Sequence, residues 1–524
     1  MGDNNRRRPV RAADVVGRGV RLCTVGSVAF ALVLSGCSDG GGGGKSSSPP
    51  PGGGGQSGAP AKALQSQPMA HADGPAHAEL LALTPSANNT VTLRIRVVND
   101  GQQRIRLSGA LADMGRENQV AGLLGSGGIA LIDGVGNKMY QPLSTGDGHC
   151  LCSDVANTEV QPGKPQEMYA VFPAPPVKNV MVWVPLATPF TDVAIPSGSA
   201  GPAPDQTVDP KTAQLGQPVV RPLIGTSEGD VEAIDQEGND TRVRLSADVL
   251  FALNKADLTP QADATLRKVA KQIDASRGTT VTIDGYTDNS GNDAINNPLS
   301  QRRAQAVEAK LKGLVTRQGV TYKSAGHGSA DPVADNGSEE GRRKNRRVAV
   351  TFARPPEPAP PTQAAPPSSA TSGGALPIVG SVRPNIQSSQ ELDRAANDLK
   401  LDVNLVHRGS GGLVTMNWTM TNMGKKEMAV ASGLGKPQSL EYSAPSTNGA
   451  RLLDPAEKMR YWPVRNSEDS CLCTQLANHA RGGLKPQESV TYTDVYNVPA
   501  GVTSVDVELP WFNNTIVLKG LPIK

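Results

Sequence analysis

Gly285-Tyr-Thr-Asp-Asn-Ser-Gly291, followed by Asn296, Leu299-Ser300 and Arg303, decides how this chain is read. Just upstream, Val281, Ile283 and Gly285 alternate with Thr280, Thr282 and Asp284, the period of a half-buried strand. The strand ends in a polar loop carrying Asp288, and a helix follows. The spacing predicts a helix capped by Ser300, with Arg303 on its first turn and Ala304, Val307 and Leu311 on its buried face. A carboxylate and a guanidinium brought together in this way hold a zwitterion, one charge at each end. Arg grips a carboxylate through two parallel N–H bonds, while Asp accepts from an ammonium.

Three further stretches fall in order around this core. They are Val249 to Ala262 (VLFALNKADLTPQA), Gly326 to Asn336 (GHGSADPVADN) and Gly341 to Val350 (GRRKNRRVAV). With these four motifs, residues from about 240 to 353 resemble the OmpA-like peptidoglycan-binding domain. The resemblance implies a non-enzymatic clamp on the diaminopimelate side chain of uncrosslinked cell-wall peptide. It places the family's charged pair on Asp288 and Arg303, and its supporting polar contacts on Asn254, Ser290, Asn296 and Arg346. The family often has Thr where Ser290 stands and His where Tyr286 stands. Neither departure touches the charged pair.

The same region predicts strand, helix, strand, helix, strand and a final strand, an α/β sandwich with its ligand loops at one sheet end. Thr259 and Pro260 make an N-cap and first helical position, and Leu266, Val269, Ala270 and Ile273 form the apolar face behind them. No second carboxylate, Ser–His pair or metal triad accompanies Asp288, so catalysis, a metal and a cofactor are not expected. His327, in Gly326-His327-Gly328, reads as a turn residue. The run Arg342-Arg343-Lys344 reads as a solvated face. Nucleic acid is not an expected partner, because the net charge is only +3 and no aromatic residue interleaves the run.

The N-terminus has the pattern of an export signal, residues 1–36. Six Arg precede an apolar run from Thr24 to Gly36, too short to span a bilayer. The run ends in Leu34-Ser35-Gly36-Cys37, which resembles a lipobox and implies lipidation of Cys37. Removing the six Arg and two Asp of this segment leaves the remainder at −1, with no long-range steering toward membrane or nucleic acid. Residues 37–75, rich in Gly, Ser and Pro, read as a flexible tether of roughly 35 Å root-mean-square span.

A duplication brackets the clamp. Val91–Gly101 (VTLRIRVVNDG) matches Val414–Gly424 (VTMNWTMTNMG), and Cys150–Glu167 matches Cys471–Glu488. Both copies alternate apolar and polar residues between turn signals, which predicts two repeated β-sandwich domains, at 76–198 and 388–524, flanking the central domain at 233–353. The segments 199–232 and 354–387 read as linkers, the second Pro-rich, so that the three domains reorient. Each copy holds a Cys-Leu-Cys: Cys150 with Cys152, and Cys471 with Cys473. A disulfide within each motif, at a kink in the chain, leads the reading; cross-pairing between the copies and thiolate metal binding stand behind it.

The expectation is a lipid-anchored envelope protein facing the cell wall, in an outer membrane if the host has one. Its partners are peptidoglycan and the membrane, with an unidentified envelope protein possible at the repeats. The alternative puts the function in the two Cys-Leu-Cys domains, as binding, redox or metal-handling heads.

Overall fold

The computed structural model describes residues 62–112, 125–198, 209–355, 376–409, 411–430, 434, 446–476, 483–512 and 514–524. The described residues all fall within one compact unit, Pro60–Lys524. The export signal, Cys37, the tether as far as residue 61 and most of the Pro-rich linker lie outside the described residues. Among the described residues no helix is long and apolar enough to cross a membrane.

The central unit contains β1 (Glu232–Glu237), β2 (Asp240–Ser246), α1 (Ala247–Leu250), α2 (Pro260–Ala275), β3 (Thr280–Gly285), α3 (Asp293–Leu314), β4 (Thr321–Gly326), α4 (Glu339–Asn345) and β5 (Arg347–Ala353). Its strands lie in the order β1-β2-β5-β3-β4, with only β3 and β4 parallel. Val243, Leu245, Val281, Ile283, Val348 and Val350 face one side of this sheet. Leu266, Val269 and Ile273 of α2 and Ala304, Val307 and Leu311 of α3 cover it. Thr259 caps α2, its hydroxyl accepting from the Ala262 N–H at 3.2 Å, with Pro260 at the first helical position.

α3 starts earlier than the spacing predicts. Its cap is Asn292, whose side chain accepts from the Ile295 N–H at 3.2 Å, and Pro298 lies inside the helix. Proline discourages a helix reading because its ring clashes with the preceding turn and it lacks an N–H. Here it is the sixth residue of α3, beyond the first turn, and the helix runs on through it. Ser300 is therefore not a cap, and Arg303 stands in the third turn. Ser300 instead donates to the Asn297 carbonyl and accepts from the Gly328 N–H, tying α3 to the loop after β4.

Gly285 and Gly326, at the ends of β3 and β4, are register partners. A Cβ on either would strike the α3 backbone, at the Ser300 carbonyl or the Gln301 N–H. Glycine at both lets the helix lie directly on the strand ends, which brings Arg303 toward Asp288.

The flanking segments share one element order. In the first, Gln65–Met69, Ala76–Ser86, Thr90–Asn99 and Pro165–Pro173 make a four-stranded sheet. In the second, Gly380–Val382, Leu399–Arg408, Leu413–Asn422 and Ser489–Asn497 do the same. Local devices recur too. Asn99 donates through Nδ2 to the carbonyls of Gln103 and Val160, and Asn422 does so to those of Lys426 and Leu484. Both segments begin before their expected limits. Gln65–Met69 pairs with Ala76–Ser86 inside the expected tether, and Gly380–Val382 pairs with Leu399–Arg408 inside the expected linker.

The linker reading of 199–232 fails from Val220 onward. Val220–Glu228 is a strand that pairs with Lys138–Tyr140 of the first flanking segment, with Met459–Tyr461 and Arg465–Asn466 of the second, and with β1. Pro222 and Gly225 hide it from a sequence reading, since both are depleted in strands. One fifteen-stranded sheet therefore runs through all three parts. The two flanking segments also share a core, in which Ala130, Ile132 and Trp183 pack with Leu413, Val464 and Val495. Pro60–Lys524 forms one compact unit in which the three parts share this sheet.

Candidate functional site

The loops at one end of the central sheet converge on three buried polar side chains: Asp288, Asn296 and Arg303, each under 8% exposed. Asp288 follows β3. Its Oδ1 accepts from the Ser290 N–H at 2.9 Å and its Oδ2 from Arg346 Nη1 at 2.7 Å. Asn296, at the end of the first turn of α3, donates to the Ser290 carbonyl at 3.1 Å and so fixes the loop from behind. Arg303 donates through Nε to the Lys255 carbonyl at 3.0 Å, and its guanidinium lies 5.3 Å from the centre of the Phe251 ring. Asn254, next to Lys255, is exposed and takes φ of 57°, a left-handed conformation that Asn tolerates better than most residues.

Arg346 is the hub. Beyond Asp288 it reaches Asp248 on α1, Nε to Oδ1 at 2.9 Å and Nη2 to Oδ2 at 2.8 Å, and Glu339 on α4, Nη2 to Oε1 at 2.9 Å. The hydrogen bonds to Asp248 first, and to Asp288 and Glu339 after it, raise its pKa against the cost of burial. Burial opposes ionisation of Asp288, but Arg346 and the Ser290 N–H and hydroxyl outweigh it and hold its carboxyl below the usual range. Arg303 differs. Burial pushes its pKa down, opposed chiefly by the field of Asp248 and less by that of Asp288, and among the described residues no carboxylate lies within ion-pair distance of it.

Asp288, Ser290, Asn296, Arg303 and Arg346 are thus joined at one sheet end, with Asn254 on the rim. Two N–H groups of the loop are engaged within the site: Ser290 donates to Asp288, and Asn289 donates to Asn336 Oδ1 at 3.4 Å. Asp248 and Glu339 escape a sequence reading because nothing local marks them; only the fold brings α1 and α4 to Arg346. Asn345, wholly buried, was equally silent. It accepts from the Val333 and Ala334 N–H groups and donates to Asn336 Oδ1, shaping the loop opposite Asp288. His327 is more than a turn residue. It bonds Asp284 at 2.8 Å and stacks on Tyr286, whose other contact is the Arg347 guanidinium 3.7 Å from the ring centre.

Away from this site, the sulfurs of Cys150 and Cys152, and of Cys471 and Cys473, are paired in disulfides. Their Cα atoms stand 5.1 and 5.2 Å apart, well short of the roughly 6.6 Å that two straight-strand steps span, so the chain bends at each motif. Among the described residues no group of three or more His, Cys, Asp and Glu is arranged to hold a metal ion.

Residues 250–346 match the OmpA family. Over 134 residues the chain is 34% identical to the outer-membrane lipoprotein YfiB of Pseudomonas aeruginosa, covering 25% of this chain and 79% of that protein. It is 40% identical over 104 residues to the peptidoglycan-binding protein ArfA of Mycobacterium tuberculosis, covering 20% of this chain and 31% of ArfA. It is 38% identical over 106 residues to outer membrane porin F of Pseudomonas aeruginosa, covering 20% and 30%. The chain therefore spans under a third of ArfA and porin F but most of YfiB. The motifs, the β1-β2-β5-β3-β4 sheet and these relatives agree: through residues 250–346, the chain belongs to the OmpA family.

Proposed function

We propose that this chain is a lipid-anchored envelope protein that binds peptidoglycan without chemistry, through the diaminopimelate of the stem peptide, and so ties a membrane to the cell wall. The observation that carries the reading is Arg303. Leaving a buried guanidinium without a carboxylate costs several kcal/mol, so its surroundings suit an anion that arrives from outside. Arg303 takes the terminal carboxylate of diaminopimelate, and its two Nη groups supply the fork. The ammonium goes to Asp288, whose remaining lone pairs are open and whose carboxylate is held ionised. Arg346 fixes Asp288 from the far side, Ser290 and Asn296 stiffen the loop, and Asn254 lines the rim. Relatives named as peptidoglycan-binding protein and outer-membrane lipoprotein support the wall as partner and the envelope as location.

In this reading Cys37 carries the lipid and the flanking segments are two copies of one β-sandwich module. The test is co-sedimentation of the purified chain with isolated sacculi, wild type beside Asp288→Ala and Arg303→Ala. Binding lost in both folded variants supports the clamp. Wild-type protein left in the supernatant, or both variants pelleting as well as wild type, defeats it.

A further inference from the structure

The two Cys-Leu-Cys motifs hold matching places in their segments but not matching surroundings. Cys152 bridges Ala170 and Cys473 bridges Asp494, the corresponding neighbour across the sheet. The second disulfide is the more deeply buried. Cys471 is 4% exposed and Cys473 not at all, the Cys471 Sγ lies 3.4 Å from both Ser446 Oγ and Gln475 Nε2, and with Trp183 and Leu186 of the other segment the pair lines a cavity of only about 40 Å³. The first is open. Cys150 is only half-buried, and with Cys152 it lines a hollow of about 620 Å³ whose walls include His149, Asp154, Gln166 and Glu167.

A disulfide stabilises a fold chiefly by closing a loop in the unfolded chain, and the effect grows with loop length. A ring between residues two apart therefore stabilises least, and stapling is a weak reason to keep one open to solvent. Attack by a thiolate depends on access to a sulfur. Cys150 is the more exposed and has the far larger hollow beside it, about 620 Å³ against about 40 Å³ at Cys471.

We propose that Cys150–Cys152 is a thiol–disulfide exchange site for a dithiol, here a peptide with two reduced cysteines, while Cys471–Cys473 is structural. The incoming thiolate attacks Cys150 Sγ, forming a mixed disulfide as the Cys150–Cys152 bond breaks. Cys152 leaves as thiolate and takes a proton from water. The second thiol of the peptide, as thiolate, then attacks the peptide sulfur of the mixed disulfide. The peptide gains a disulfide, Cys150 is released as thiolate, and two electrons pass to this chain. The reaction is independent of the clamp.

The test uses the folded full chain, treated with graded dithiothreitol, quenched by alkylation and read by mass spectrometry at each cysteine. Cys150 and Cys152 should become labelled at least tenfold faster than Cys471 and Cys473, without loss of native circular dichroism. A synthetic peptide with two reduced cysteines, mixed with untreated protein, should recover its own disulfide as Cys150 and Cys152 become free. Equal labelling of the two pairs, labelling only on unfolding, or a peptide that stays reduced would each overturn the assignment. A Cys150→Ser/Cys152→Ser chain should leave the peptide reduced; peptide oxidation by that chain would also overturn it.

Discussion

Asp248 grips Arg346 side-on, with Nε and Nη2 each donating to a different carboxylate oxygen. Paired bonds of this kind fix the plane of a guanidinium as well as its position. With that plane fixed, Nη1 is left pointing at Asp288, 2.7 Å away. The acidic end of the site therefore depends on a residue of α1 that lies outside the Gly285–Arg303 stretch.

Replacing that residue tests the dependence. Asp248→Asn should weaken sedimentation with sacculi about tenfold, roughly the contribution of one charge-assisted hydrogen bond, with the fold intact. A binding isotherm against wall concentration reads the change. Unaltered binding in the variant would leave Asp248 with no part in orienting the site.

Arg303 should behave as a residue kept at the expense of stability. Removing a buried charge that has no carboxylate partner relieves its desolvation, so Arg303→Met should match wild type in urea melts or exceed it by about 1–2 kcal/mol. Wall binding should nonetheless disappear. A variant less stable than wild type would show that the guanidinium is structurally paired after all.

Asp288 and Asp494 predict opposite responses to pH. Asp288 is held below its ordinary pKa, so its contribution is present above about pH 4 and is lost as pH falls through its still lower folded value. Wall binding should then stay level from pH 7 down to about 4.5. Asp494 is fully buried at the disulfide of the second segment, where Trp418 Nε1 and Thr447 Oγ donate to it, and burial pushes its pKa up to about 7. Unfolded, it ionises near 3.9, so folding takes up a proton between those values and stability falls as pH rises from about 4 to 7. Asp494→Asn should remove that slope from a series of thermal melts. An unchanged slope would show that Asp494 is already ionised in the fold.

The shared sheet can be attacked at Gly225. A Cβ there would sit 2.5 Å from that of Asn497 in the second flanking segment. Gly225→Val should cost about 1–3 kcal/mol through overpacking. It should also split thermal unfolding into more than one transition and open Val220–Glu228 to proteolysis. A single transition at the wild-type temperature would mean that the strand tolerates the added bulk.

Much of the central unit was legible, because its periodicities are strong. Val281 and Ile283 do lie inward on β3, and Ala304, Val307 and Leu311 do form the covered face of α3. The start of α3 was not legible, since Pro298 and Ser300 imitate a helix boundary while Asn292 performs the capping. Val220–Glu228 was hidden for a different reason. Its pairing is set by partners as distant in sequence as Arg465, and no local pattern encodes them. The charged pair Asp288 and Arg303 could be named from motif order, whereas Asp248 and Glu339 reach Arg346 only through the tertiary fold.

The strand that joins the three parts also governs attitude. Modules strung on flexible linkers would hang from the wall at every angle, each turning independently of the clamp. A single sheet removes that freedom. Under the proposed function, a ligand held by Arg303 and Asp288 and the hollow at Cys150 belong to one compact unit.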